Sequence, residues 1–298
     1  MDRRYLLHGA IPALGAACCF AGMAALVKLA SVDASSQVLV FLRSAFGLLI
    51  VAPFALHRGR DFLTTTRTKT HILRALTSIG ALSCFYFAVA RIGLAEAILL
   101  NASSPLFIGI FAIFMLGEQL ERRAIYALML GFCGVVLLLK PGTDLFQLSA
   151  TIGAFAGIFV AFAKIFIRQM ADTEPVLRTV FYFGVYSSLF SAIPLIWFWE
   201  TPASYSVGCM IIAAAFGTAG QTLLTYAFTH NRAARVAPFS YFTVVLGGLA
   251  GWLYWGELPD WISVAGGALV IAGCVTMMIR PHQASAWQEA RRAPKHKS

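Results

Sequence analysis

Hydrophobic residues fall in long runs along this chain, broken at regular intervals by clusters of charge. Cutting at those clusters leaves ten apolar stretches, roughly 10–30, 37–56, 72–90, 95–116, 122–139, 147–168, 176–198, 207–229, 236–255 and 260–279. A helix needs ~20 such residues to cross ~30 Å of hydrocarbon. The runs are rich in Leu, Ala and Gly and do not alternate with polar residues, so they predict helices and not barrel strands. An all-α membrane protein of ten transmembrane helices is expected.

Composition agrees and charge adds a direction. Of 298 residues, 59% are hydrophobic and 12% charged, too few polar groups to cover a soluble fold of this size. The net charge of +10 would suit nucleic acid, but its placement argues for topology. With the N-terminus inside, one side collects Arg3, Arg4, Arg58, Arg60, Arg67, Lys69, Arg122, Arg123, Arg168, Arg178, Arg232, Arg235 and the basic tail. The other side keeps Arg91 and Lys140. This is the positive-inside pattern; it predicts cytoplasmic termini and contact with anionic lipid headgroups, with no nucleic-acid partner. The first 25 residues resemble a signal peptide, but the apolar run continues to Ala30, which favours an uncleaved anchor. All six cysteines lie in predicted spans without a C-x-x-C, so they read as packing residues.

The two halves resemble each other. Gly80, Tyr86 and Ala97 match Gly220, Tyr226 and Ala237; Gly117–Glu118 matches Gly256–Glu257; Gly134 matches Gly273; Lys140–Pro141 matches Arg280–Pro281. Each half holds five predicted helices. Because five is odd, the second copy must enter the membrane inverted. Lys28 and Lys164, its counterpart, accordingly fall near opposite membrane faces. Inverted repeats place a binding site at their interface near the midplane, and alternate opening of that site makes a secondary transporter.

Chemistry inside the spans is sparse. No span carries an Asp, and all six histidines sit at span ends or outside, which argues against an intramembrane aspartyl protease, a sodium cage or a metalloenzyme. There is no G-x-x-x-x-G-K-[ST], so ATP hydrolysis is not expected on this chain. Lys28, Arg43, Arg74 and Lys164 remain within predicted spans. A charge at the helix centre costs ~2.5–3.5 kcal/mol or more, so such residues either face the bundle interior or snorkel to the headgroups. Arg43, about seven residues into its span, favours the interior and suits an anionic group on a substrate. Glu96, at the outer start of the fourth span, is a partner for Arg91 or Arg43, or a proton-coupling group.

Asn101-Ala-Ser103-Ser104-Pro105 is the most informative polar cluster: Pro105 frees a backbone carbonyl within a span, beside side chains that can bind it, a neighbouring helix or a substrate. Close packing of small residues is the alternative reading. Pro238-Phe-Ser240-Tyr241 interrupts the ninth span in the opposite half, and Gln221, Thr222, Thr225 and Tyr226 form a polar stripe in the eighth. Paired interruptions in the two halves point to a transport site. Trp197, Trp199, Trp252, Trp255 and Trp261 cluster near one predicted surface and read as interfacial belt residues.

Several longer motifs resemble the EamA family of the drug/metabolite transporter superfamily. They are FLRSAFGLLIVAPFAL, LAEAILLNASSPLFIGIFAIFMLGE, GFCGVVLLLKPG, APFSYFTVVLGGLAGWLYWGELPD and GGALVIAGCVTMMIRP, and together they run over about residues 8–282. The resemblance implies a bacterial inner-membrane transporter with two inverted five-helix repeats around a central cavity. It places the first repeat at 1–143, the second at 144–282 and a cytoplasmic basic tail at 283–298. It implies transport of a small metabolite: amino acids, or in related branches S-adenosylmethionine, riboflavin or amino-acid-derived metallophores.

The expectation is then a transporter, not an enzyme, of a small polar or zwitterionic metabolite, acting outward. An importer of nucleoside- or vitamin-like compounds is the alternative, with an intramembrane enzyme or a non-transporting scaffold more distant. The predicted substrate-binding residues are Lys28, Arg43, Asn101, Ser104, Gln221 and Tyr241, with Pro105 and Pro238 as helix breaks or gates and Glu96 for proton coupling. Glu118 and Glu257 each follow a glycine at a span end and read as structural, capping the next helix or pairing with an arginine such as Arg122. No catalytic residue, metal or cofactor is expected; the partners are the substrate and membrane lipids, in a monomer or homodimer.

Overall fold

The computed structural model describes residues 6–91, 101, 104–118, 121–139, 148–255 and 261–278. Glu96, Ser103 and Glu257 lie outside the described residues, as do both termini. Regular structure among the described residues is helical throughout. In chain order the elements are α1 (Ile11–Ala30, entered through a π-helical turn, Leu6–Ala10), α2 (Ser36–Leu56), α3 (Thr68–Arg91), α4 (Ser104–Leu116), α5 (Arg122–Leu139) and α6 (Leu148–Gln169). Then follow α7 (Val176–Ala192), α8 (Ser204–His230), α9 (Phe242–Trp255) and α10 (Trp261–Met278). Five described stretches are long and apolar enough to cross a bilayer alone: Leu6–Ala30, Ser36–Leu56, Thr68–Ala88, Ser204–His230 and Ala233–Ala250.

Two predicted spans are less regular than the hydrophobic pattern suggests. The seventh, read as continuous over 176–198, breaks after Ala192 and resumes as one turn at Leu195–Phe198. Pro194 lies between them; it lacks an N–H for the ladder and disfavours helix at the preceding residue. The ninth runs as a helical turn, Ala233–Val236, then a 3₁₀ segment, Ala237–Tyr241, and only then α9. Pro238 stands at the start of that 3₁₀ segment.

Packing follows an inverted two-fold. α5 lies against α10 and α2 against α7, each a helix against its own counterpart. The remaining large contacts come in pairs: α1 on α8 with α6 on α3, α4 on α6 with α9 on α1, and α2 on α8 with α7 on α3. Individual residues repeat the relation. Gly80 of α3 abuts the ring of Phe159 at 3.3 Å, and Gly220 of α8 abuts the ring of Phe20 at 3.0 Å, both distances taken from the place a Cβ would occupy. On the axis, a Cβ at Gly134 would meet the Gly266 carbonyl at 2.6 Å and the Val270 nitrogen at 2.8 Å. One at Gly273 would meet the Ala127 carbonyl at 2.9 Å and the Gly131 nitrogen at 3.2 Å. Only glycine permits that approach, and it serves because van der Waals contact takes over the role of the hydrophobic effect between helices in lipid.

The interior is correspondingly built of small residues such as Ala13, Ala16, Ala17, Ala24, Ala127, Ala213 and Ala227. Large apolar side chains such as Phe228 and Phe239 fill the rest of it, and many others point outward: Phe114, Trp197, Tyr254 and Trp261 are among the most exposed residues. An exterior this apolar belongs in lipid.

Candidate functional site

A cavity of about 150 Å³ lies between the repeats, walled by α1, α2, α3, α6, α8 and α9 and by Asn101 and Ser104. At ~30 Å³ per water in the liquid, it holds about five waters or a small metabolite. Its wall is mostly small or apolar (Ala13, Ala16, Ala17, Phe20, Leu82, Phe85, Val160, Leu224), and its polar groups are Arg43, Ser78, Asn101, Ser104, Lys164, Gln221, Ser240 and Thr243.

Arg43 enters from α2 and is 2% exposed. It reaches the cavity because α8 has a glycine opposite: a Cβ at Gly217 would stand 3.0 Å from its Nε and 3.1 Å from its Nη2. The guanidinium carbon sits 5.2 Å from the centroid of Phe183, and Nε is buried without a hydrogen-bond partner. Arg74 of α3 approaches the same ring, at 4.8 Å. Its Nε is likewise buried without a partner, but its other nitrogens donate to the Thr179 carbonyl, to Gln221 Oε1 at 3.3 Å and to Thr225 Oγ1 at 3.4 Å. Lys164 of α6, 7% exposed, donates to Ser240 Oγ at 2.9 Å and lies 6.0 Å from the Phe228 ring. Among the described residues, no carboxylate lies within ion-pair distance of any of these three cations.

The energies separate them. Removing an ion from water costs several kcal/mol even after relaxation. A desolvated cation–π contact returns ~2 kcal/mol and each hydrogen bond to a charged group ~1.5–3 kcal/mol. Arg74, with three hydrogen bonds and a ring, is close to balanced. Arg43, with a ring alone, is not; an anion arriving in the cavity would supply what it lacks.

Four of the predicted binding residues therefore meet on one cavity: Arg43, Asn101, Ser104 and Gln221. Two do not. Lys28 sits in the last turn of α1, a turn beyond Ala24, the last α1 residue to touch the cavity, and its side chain is only partly buried. Tyr241 is fully buried but faces α5, where a Cβ on Gly131 would be 2.3 Å from its ring. Ser240 and Tyr241 are neighbours in the 3₁₀ segment, so their side chains point about a third of a turn apart, and it is Ser240 that faces the cavity. Pro105 and Pro238 are both buried, and the Pro238 carbonyl accepts from Cys274 Sγ at 3.7 Å. Lys164, Ser240, Ser78 and Thr243 complete the polar set on the wall; Arg74 stands behind it, bound to Gln221. The sequence signal for Lys164 and Arg74 was a basic residue within a predicted span; their partners come from distant helices and left no local trace.

One end of the bundle is closed by paired charges. Gly117, with φ +63°, ends α4 in a left-handed C-terminal turn, its N–H bonding the Ile113 carbonyl at 3.2 Å and the Glu118 N–H the Ala112 carbonyl at 3.0 Å. That turn aims Glu118 away from Arg122, the partner expected, and towards Arg168 of α6 at 3.3 Å. The same carboxylate accepts from the N–H groups of Ala233 and Ala234, capping the turn that leads into α9. Glu121 binds Arg235 and lies 3.7 Å from Arg232. Nearby, buried Glu174 accepts from Thr65 Oγ1 and Arg178 Nη1, the latter at 3.1 Å, with His71 3.7 Å away.

Two inverted sets of apolar helices around a largely apolar cavity with a few polar and cationic groups fit a membrane transporter of a small molecule. The chain belongs to the EamA-like transporter family, whose pattern matches residues 7–140 and again 147–279. It is 32% identical to the pseudopaline exporter CntI of Pseudomonas aeruginosa (strain UCBPP-PA14), over 91% of this chain and 96% of that protein. It is 26% identical to an S-adenosylmethionine uptake transporter of Rickettsia prowazekii (78% and 79% covered) and 25% identical to a riboflavin transporter of Vibrio cholerae (90% and 92% covered). A solved crystal structure shares the fold, with a TM-score of 0.73 at 21% identity, covering 95% of this chain and 97% of that one. The protein is thus a membrane-embedded metabolite transporter and not an enzyme.

Proposed function

We propose that this protein exports a small anionic or zwitterionic, amino-acid-derived metabolite from the cytoplasm across a bacterial inner membrane, with both termini inside. The observation that carries this reading is Arg43, a buried guanidinium on the cavity wall whose Nε has no partner. Arg43, Asn101, Ser104 and Gln221 bind the substrate, joined by Lys164 and Ser240. Pro105 and Pro238 let the fourth and ninth spans flex as the two repeats, 1–143 and 144–282, open the cavity to each face in turn. Glu96 is the proton-coupling group. The basic loops that carry Arg58, Arg67, Arg122, Arg178 and Arg232 support the orientation.

Outward transport is favoured by the relative with the higher identity and fuller coverage, which is named an exporter. Import of an S-adenosylmethionine-like compound is the second reading, because relatives are named for it. The cavity favours it less: such a compound has one carboxylate to pair with a cation, and its sulfonium would stand beside Arg43 and Lys164. Comparing metabolites in cells and medium of a deletion strain and an overproducing strain decides. A compound that accumulates in the deletion cells and vanishes from their medium fixes substrate and direction; the reverse pattern makes the protein an importer. No difference in any growth medium removes the export reading.

A further inference from the structure

Arg43 from the first repeat and Lys164 from the second face one cavity, and among the described residues neither meets a carboxylate. Arg43 has no hydrogen bond at its buried Nε. Lys164 has three N–H donors and one oxygen partner, Ser240 Oγ. Gln221 adds to this excess of donors. Its Oε1 is occupied by Arg74 Nη2 at 3.3 Å, which leaves the amide N–H groups for the cavity, one helical turn along α8 from the Gly217 that seats Arg43. Asn101 has the opposite character: its Oδ1 is buried without a partner and calls for an N–H.

We propose that the cavity is specific for an amine bearing at least two carboxylates. One carboxylate is held by Arg43 with Gln221, the other by Lys164 with Ser240, and the amine N–H is accepted by Asn101 Oδ1. A zwitterion with a single carboxylate satisfies one cation and leaves the other bare in an apolar wall, so it is a poor occupant. Because the two cations belong to opposite repeats, only the doubly charged compound ties the repeats together across the cavity. The inference rests on the cavity being the transport site and narrows its substrate class.

The test is calorimetric titration of the full-length protein in lipid nanodiscs with glutamate, glutamine and glutarate. Glutamate carries the amine and both carboxylates, glutamine lacks one carboxylate, and glutarate lacks the amine. Glutamate is expected to bind about ten- to hundredfold more tightly than glutamine, with glutarate between them. Arg43→Gln and Lys164→Gln should each bring glutamate to the level of glutamine, while Lys164→Arg keeps the preference. Thermal melting of the ligand-free variants shows that they are folded: losing an unpaired buried cation leaves the melting temperature unchanged or higher. Equal binding of glutamate and glutamine overturns the proposal. So does a preference that survives in both glutamine variants, absence of glutamate binding, or a melting temperature lowered by Arg43→Gln. Any of these leaves export standing if the deletion strain still retains a metabolite; if that difference is absent too, both readings fall.

Discussion

Arg168 and Arg43 are the same residue in the same apolar bundle, and their surroundings differ in kind. Arg168 reaches a loop face and finds Glu118, which also caps the approach to α9. Arg43 is buried at the cavity and finds a phenylalanine ring, a glycine and an unfilled space. The same contrast runs through the set: Arg178 and Arg235 are paired with Glu174 and Glu121, while Lys164 has a serine hydroxyl. A paired cation at the bundle end holds elements together. An unpaired one in the interior destabilises the empty protein, and on the proposed reading an arriving anion compensates it.

Substitutions can break or sharpen this contrast. The largest effect is expected at Arg43: Arg43→Gln should cut export by about ten- to hundredfold at unchanged membrane abundance, measured as efflux of the accumulated compound. Wild-type efflux in that variant would place Arg43 with the structural arginines. Next comes Gly217→Ala. Its methyl would meet Met23 Sδ at 2.8 Å and the guanidinium at 3.0 Å, so efflux should drop about tenfold while insertion is retained. The paired side of the contrast predicts a stability effect instead. Glu118→Ala strands the Ala233 and Ala234 N–H groups and Arg168, and should cost about 1–3 kcal/mol in nanodisc unfolding. Stability equal to wild type there would mean that the ion pair does not hold α4, α6 and α9 together. The smallest change is expected from Glu121→Gln, whose partners Arg232 and Arg235 are half-exposed to solvent: below about 1 kcal/mol.

Much of this was legible in the primary structure. Long apolar runs locate helices because lipid leaves the backbone no other partner, and an odd number of them per repeat dictates inversion. Arg43 stood out because a charge deep in a span is costly wherever it points. What failed to show was orientation about the local axis. Lys28 and Lys164 read alike as basic residues near span ends, yet a single turn separates a partly buried side chain from one on the cavity wall. Tyr241 and Ser240 are neighbours about a third of a turn apart, and the pattern of residues does not say which of the two faces the cavity. Arg74 was visible as an in-span base, but that it fixes the Gln221 amide depends on α3 lying near α8, which no local pattern encodes. The Gly-Glu pair at 117–118 was recognisable as a cap; that it serves the turn before α9 rather than α5 is a tertiary fact.

The glycine seam between α5 and α10 has a historical consequence. Its contacts are reciprocal, Gly134 to Gly266 and Val270, Gly273 to Ala127 and Gly131. Reciprocity of that sort is what a symmetric dimer of half-length chains produces, since one surface serves both subunits. In such an ancestor every substitution on the seam acts twice, and every substitution in the cavity is copied to the opposite wall. Joining the two genes end to end removes that coupling. Gly134 and Gly273 answer each other across the seam as glycines, where close approach leaves no choice, whereas Gly131 answers to Val270 and Ala127 to Gly266, so the two sides of the seam no longer carry one sequence.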